Sequence, residues 1–224
     1  MTVRESLMTD KQARFDAGRE QRIISTRAYN LIIGGCLFYG FAVNAFMMNT
    51  LTALFSGMNM WALLIGYIVC VIAGALLTNS DSAAISFVGY NLIVLPIGAV
   101  LSVLLPVYAA ETVFNAVVMT GIITLVMMLA GTIFPNIFLR MGRSLFILLI
   151  AVIVVEMAAV FVFHRDLAAL DYAVVVIFSG YIGYDWATAN IYPKTVNNAV
   201  DSATDLYMDI INIFIRLLAI LSRE

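Results

Sequence analysis

The chain has 224 residues, of which 63% are hydrophobic and 12% charged, and its mean hydropathy is +1.00. An ordinary soluble domain carries about 25% charge, so a soluble globular enzyme is excluded and a polytopic membrane protein is expected. Twelve Lys and Arg against fourteen Asp and Glu leave a net charge of −2, with no basic stripe beyond the amino terminus, so nucleic acid is not an expected partner.

Residues 1–27 hold Arg4, Lys11, Arg14, Arg19, Arg22 and Arg27 among four acids and read as a cytoplasmic amino-terminal segment. The first apolar run, 29–49, is too long and begins too late for a cleaved signal peptide, so it reads as a retained first span. Further apolar stretches follow at 59–78, 83–105, 113–134, 144–163, 172–192 and 198–221. Each is close to the roughly 18 to 20 residues that cross a bilayer. Between them lie polar or turn-forming residues: Ser56-Gly57, Asn79 to Ser82, Pro106 with Glu111, Pro135 through Arg143, His164-Arg165-Asp166 and Pro193-Lys194. The fold expected is therefore all-α, a seven-transmembrane-helix bundle over residues 28–224. A β-barrel would need many alternating segments of about ten residues, which these runs are not.

Cys36 and Cys70 sit singly inside apolar runs, and His164 is the single histidine. Soft nitrogen and sulfur metal sites therefore lack ligands, and no resident cofactor is expected. With the amino terminus inside, nine basic residues face the inner side. Arg165, Arg216 and Arg223 fall on the outer side or in the last helix. The positive-inside rule then places the amino terminus inside and the carboxy terminus outside.

The last helix carries the functional signal. At 100° per residue, Asn198, Asp201, Asp205, Asp209, Asn212 and Arg216 fall at about 0, 300, 340, 20, 320 and 0°, within a stripe about 80° wide. A carboxylate facing lipid at mid-bilayer costs a few kcal/mol or more, so this stripe is expected to face the bundle interior or a water-filled cavity. The last helix is accordingly expected to be central. Asp185 in the sixth span and Glu156 midway along the fifth add to an acidic interior. Arg216, about 10 Å from Asp209 along the helix, cannot neutralise all of these acids. Such oxygen ligands suit protons held on carboxyl groups or a hard cation such as calcium. Depth alone leaves open whether Asp185 pairs with Asp205 or with Asp209, which stand one helical turn apart. Asp201 is expected to be a solvated helix-start charge, and Arg216 to snorkel to the outer interface. Glu156 is expected either as an added ion or proton site or as a partner of a neighbouring Ser, Thr or Asn.

The segment Leu206-Tyr207-Met208-Asp209-Ile210-Ile211-Asn212-Ile213-Phe214, preceded by Gly183-Tyr184-Asp185, resembles the transmembrane Bax inhibitor motif family. Weaker likenesses are Asn91 to Pro96, and Gly131-Thr132 leading through Arg140 and Arg143 to Phe146. The resemblance implies a seven-helix bundle wrapped around its last helix, and a calcium leak governed by pH. It puts Asp185 and Asp209 at the two positions that sense pH and bind calcium, with Asp205 as a third member. Two carboxyls within hydrogen-bond reach share one proton and titrate as a pair. Protonated, they would clasp the helices shut; deprotonated, they would repel and receive calcium.

Two features depart from that pattern. Bacterial relatives place a basic residue at the inner end of the second helix to latch the aspartates, whereas this chain reads Leu77-Thr78-Asn79-Ser80-Asp81, leaving protonation alone or Lys194 to close the pair. An acid at Glu156 is the other departure. A second role implied by relatives is that of a non-transporting modulator of a membrane-bound quality-control protease, engaged through residues 1–27. An enzyme is not expected: an intramembrane aspartyl protease would carry Gly-x-Gly-Asp, and Leu206-Tyr207-Met208 precedes Asp209. The expected location is the cytoplasmic membrane of a bacterium, because the sequence shows no N-x-[ST] sequon, no retention tail and almost nothing after the last span.

Overall fold

The computed structural model describes residues 22–78, 80–162 and 167–223. Among these residues the chain is all-α, with eight α-helices, one 3-10 turn and no strand. In chain order they are α1 (Thr26–Thr50), α2 (Thr52–Ser56), α3 (Met60–Leu77), α4 (Ala83–Leu104) with the turn Leu105–Val107, α5 (Ala110–Ile133), α6 (Pro135–Phe161), α7 (Ala168–Ile191) and α8 (Val196–Leu221). Five of them, α1, α3, α4 with its turn, α5 and α6, are long and apolar enough to cross a membrane. The residues before Arg22, and Asn79, His164, Arg165 and Asp166, lie outside the described residues, and with them most of the basic amino-terminal segment.

Local chemistry starts these helices where they start. Ser25 Oγ accepts from the Ala28 N–H at 3.2 Å, and Asn59 Oδ1 accepts from the Trp61 and Ala62 N–H groups at 2.9 and 3.3 Å. Thr195 Oγ1 accepts from the Asn198 N–H at 3.1 Å. Each satisfies amide donors that a helix leaves unpaired at its first turn. Glu111 sits in the first turn of α5, where the helix dipole favours an anion.

One segment read as punctuation proves helical: Pro135 through Arg143 forms the first turns of α6, with Pro135 at the helix start, while Ser56 closes the short α2 (Thr52–Ser56) just before Gly57. Proline there has its φ already set for helix and gives up only an amide that has no intrahelical partner. Pro96 lies inside α4, which continues past it.

The chain packs as two compact units. One ends at Val107 and is completed by Ile191–Thr204; the other comprises Tyr108–Asn190 with Asp205–Glu224.

In the first unit Met47, Leu63 and Ala99 form a buried apolar cluster, with Val43, Leu51, Phe55 and Val100 packed on it. Helices α3 and α4 approach at Gly74 and Gly89, where a Cβ on Gly74 would lie 2.7 Å from the Gly89 carbonyl oxygen. This unit also holds buried polar groups. The Tyr90 hydroxyl donates to the Cys36 carbonyl at 2.6 Å, and Asn197 Nδ2 donates to the Ser80 carbonyl at 2.9 Å. The Tyr29 hydroxyl lies 3.3 Å from the Asn198 carbonyl, to which it donates, and 3.1 Å from Ser202 Oγ. Tyr29→Phe keeps the ring and removes these bonds, and is expected to cost about 1 kcal/mol, measured as a lowered melting temperature in detergent. The Lys194 ammonium lies 4.5 Å from the centroid of the Tyr29 ring, a cation–π contact. Burial in the α7–α8 connection lowers its pKa below the usual lysine value.

In the second unit small residues let helices touch. A Cβ on Gly131 of α5 would lie 2.6 Å from the Gly183 carbonyl oxygen of α7, and one on Gly183 would lie 2.3 Å from the Phe138 ring of α6. Trp186 Nε1 donates to Thr132 Oγ1 at 2.8 Å, a second tie between α7 and α5. Close backbone approach at glycine is how helices associate where burial from water offers no driving force.

Candidate functional site

The site is built from α7 and α8 within the second unit. Gly180 and Gly183 press α7 against Leu145 and Phe138 of α6, which fixes the depth and rotation of Asp185 two residues further on. On α8, Asp205, Asp209, Asn212 and Arg216 follow at intervals of four, three and four residues, so they line one face. From Asn197 to Leu221 no residue of α8 is exposed.

Asp209 is 5% exposed. The carboxyl of Asp185 lies close enough to interact with it directly, and Asp205 lies near enough to act on it electrostatically. Both Asp185 and Asp205 act on Asp209, and Asp205 is partly buried. Tyr181, one turn before Asp185, is close enough for both carboxylates to act on its hydroxyl. Asp209 Oδ2 is buried and has no hydrogen-bond partner among the described residues. Asn212 is turned back on its own helix, its Nδ2 donating to the Met208 carbonyl at 2.8 Å.

Toward the carboxy-terminal end of α8 lies an ion cluster. Arg216 grips Glu156 of α6 with both amino groups, Nη1 to Oε1 at 2.7 Å and Nη2 to Oε2 at 2.9 Å. Its Nη1 also donates to Asp171 Oδ1 of α7 at 2.8 Å, and Arg223 Nη1 donates to Asp171 Oδ2 at 2.6 Å. Two acids and two bases thus join α6, α7 and the end of α8.

Three expectations change. Arg216 does not simply snorkel: it is bound by Glu156 and Asp171, because α6 and the start of α7 bring carboxylates to it. Glu156 is correspondingly an ion-pair partner of Arg216. Asp201 is not solvated: it is 2% exposed and accepts from Asn197 Nδ2 at 3.3 Å. Burial of α8 begins in its first turn, so nearness to the helix start does not bring Asp201 to water.

Asp171, Arg223 and Tyr181 are the site residues that sequence reasoning missed. Asp171 was placed outside the sixth span, whose first residue was set at 172; α7 in fact starts at Ala168 and has Asp171 in its first turn. The side chain of Asp171 is 5% exposed, against 27% for Arg216 and 37% for Arg223. Asp171→Asn should therefore weaken two charge-assisted bonds and destabilise the fold by about 2 kcal/mol, seen as a melting-temperature drop in detergent. Among the described residues no group of three or more His, Cys, Asp or Glu is arranged to hold a metal ion.

All-helical architecture among the described residues, with several candidate spans and the buried Asp209 beside the partly buried Asp185, defines a helical membrane protein. The profile of the family described as inhibitor of apoptosis-promoting Bax1 matches residues 20–224, and the chain belongs to that family. It is similar to an uncharacterized protein of Helicobacter pylori strain J99, 34% identical over 113 residues, covering 49% of this chain and 47% of that one. It is also similar to an uncharacterized protein of Campylobacter jejuni, 36% identical over 86 residues, covering 38% and 36%. An uncharacterized membrane protein of Streptococcus pyogenes is 29% identical over 164 residues, 70% of each chain. The match thus spans about half, or less, of the length of the Helicobacter and Campylobacter relatives. No solved structure matches the chain significantly.

Proposed function

We propose that this protein is a calcium leak, or a slow calcium/proton exchanger, whose conducting state is controlled by the proton shared between Asp185 and Asp209. The observation that carries this reading is the close approach of the two carboxyls, with Asp209 buried. An intramembrane acid has a functional role by default because its burial is costly. A hydrogen-bonded pair holds its proton when closed. As pH rises and the proton leaves, two like charges at contact distance repel, and the helices that carry them part.

The pair then offers anionic oxygens to a passing cation, with Asp205 alongside. Calcium requires six to eight oxygen ligands, so two or three carboxylates supply part of a shell that water completes. This matches a transported ion better than a resident one. Seven spans would be formed by α1 and α3 through α8, with α8 as the central helix; the absence of exposed residues from Asn197 to Leu221 supports that place for it. The setting is the cytoplasmic membrane of a bacterium with the amino terminus inside.

The test is calcium entry into dye-loaded proteoliposomes containing the unmodified chain, from about pH 5 to about pH 8. Entry should rise with pH. Vesicles tight to calcium at every pH, with protein shown folded by circular dichroism, would sink the reading and turn attention to a membrane protein partner.

A further inference from the structure

Arg216 stands on the same face of α8 as the aspartate pair, seven residues and about 10 Å beyond Asp209, with Asn212 between them. We propose that the Arg216 clamp is a second closure of the pathway, on the carboxy-terminal side of the aspartate pair. It rests on the reading of that face as an ion route.

Three observations point to it. The guanidinium is held by three carboxylate oxygens from two other helices, at 2.7, 2.9 and 2.8 Å, so it bridges α6, α7 and α8 and is not free to swing. Asp171 is shared with Arg223, so that every carboxylate oxygen of Glu156 and Asp171 is already engaged by a guanidinium. Asp171 is buried, but Arg216 is 27% and Glu156 34% exposed, so one side of the clamp meets an accessible surface. A cation on the α8 face must displace a tethered positive charge to pass. Opening the clamp bares Glu156 and Asp171 at the moment the barrier moves aside.

The planar guanidinium explains why arginine holds this position. Its two amino groups match both oxygens of Glu156, and an ammonium cannot make that bidentate contact. Arg216→Lys therefore keeps the charge and loosens the clamp, whereas Arg216→Gln removes both.

The test is solvent access to a cysteine placed between the clamp and the pair. In proteoliposomes of the full chain with Cys36→Ala and Cys70→Ala, Asn212→Cys is labelled by a membrane-impermeant maleimide added on the carboxy-terminal side. With Arg216 intact labelling should be slow. Adding Arg216→Gln should speed it about tenfold or more, the size of a typical coupling between two states, with Arg216→Lys in between. Should Arg216→Gln fail to fold, Glu156→Gln opens the clamp from the other partner and should speed labelling in the same way. A lowered melting temperature with an unchanged labelling rate in folded variants would overturn the proposal, since that is what a purely structural staple would give. The labelling comparison does not depend on the ion carried, so it still decides the clamp if the unmodified protein proves tight to calcium.

Discussion

Asp209→Asn is expected to flatten the pH profile of calcium entry and hold it near its low-pH level. The amide is close in shape to the protonated acid and donates a hydrogen bond to Asp185, but it has no proton to lose in this range. The closed contact therefore persists at every pH. In the unmodified chain the sign runs the other way with pH: the shared proton is present at low pH, the contact it makes is fully formed there, and the contact is lost as pH rises through the titration of the pair. One proton governs at most about a tenfold change per pH unit, so a profile that rises over about two pH units should lose up to about a hundredfold at its upper end. Asp185→Asn should flatten it too. Asp205→Asn should have a smaller effect than either, because Asp205 acts on Asp209 from beside the pair.

Gly183→Val should have the largest effect of any change outside the charged residues. A Cβ at Gly183 would lie 2.3 Å from one atom of the Phe138 ring and 2.5 Å from the next. The ring is rigid, so it or α7 must shift as a whole. Overpacking of this kind costs about 1 to 3 kcal/mol, and here a second contact compounds it, because the Gly183 carbonyl is packed on Gly131. Asp185 lies two residues along the same helix, so a displaced α7 also misplaces its carboxyl. The expected result is a lower melting temperature together with a weakened pH dependence of flux, whereas Gly121→Ala, at a glycine with nothing within 4 Å, should change neither.

The helices were legible because a bilayer imposes length and hydropathy directly on the sequence. The starts of α6 and α7 were not, since Pro135 reads equally as a turn breaker and as a helix start, and a single acid at Asp171 looks like the end of an apolar run. That boundary concealed the ion cluster: with Asp171 outside the span, Arg216 had no visible partner besides the interface. Asp201 failed for a related reason. Its position in the second turn of α8 argues for water, and only its long-range neighbours, through Asn197 and Ser80, decide otherwise. The polar stripe of α8 survived as a pattern because 3.6-residue periodicity is local. Which of its acids meets Asp185 depends on the relative height of two helices, and one turn of α8, about 6 Å, lies within the error of reading helix ends from sequence.

The shared proton is tested most directly by following calcium entry and the infrared carbonyl band of protonated carboxylic acid on one preparation as pH is raised. The account predicts a band that is absent from Asp209→Asn and fades as flux rises, with a common midpoint. A flux that rises while the band stays unchanged, or an unmodified protein whose spectrum matches that of Asp209→Asn, would contradict it.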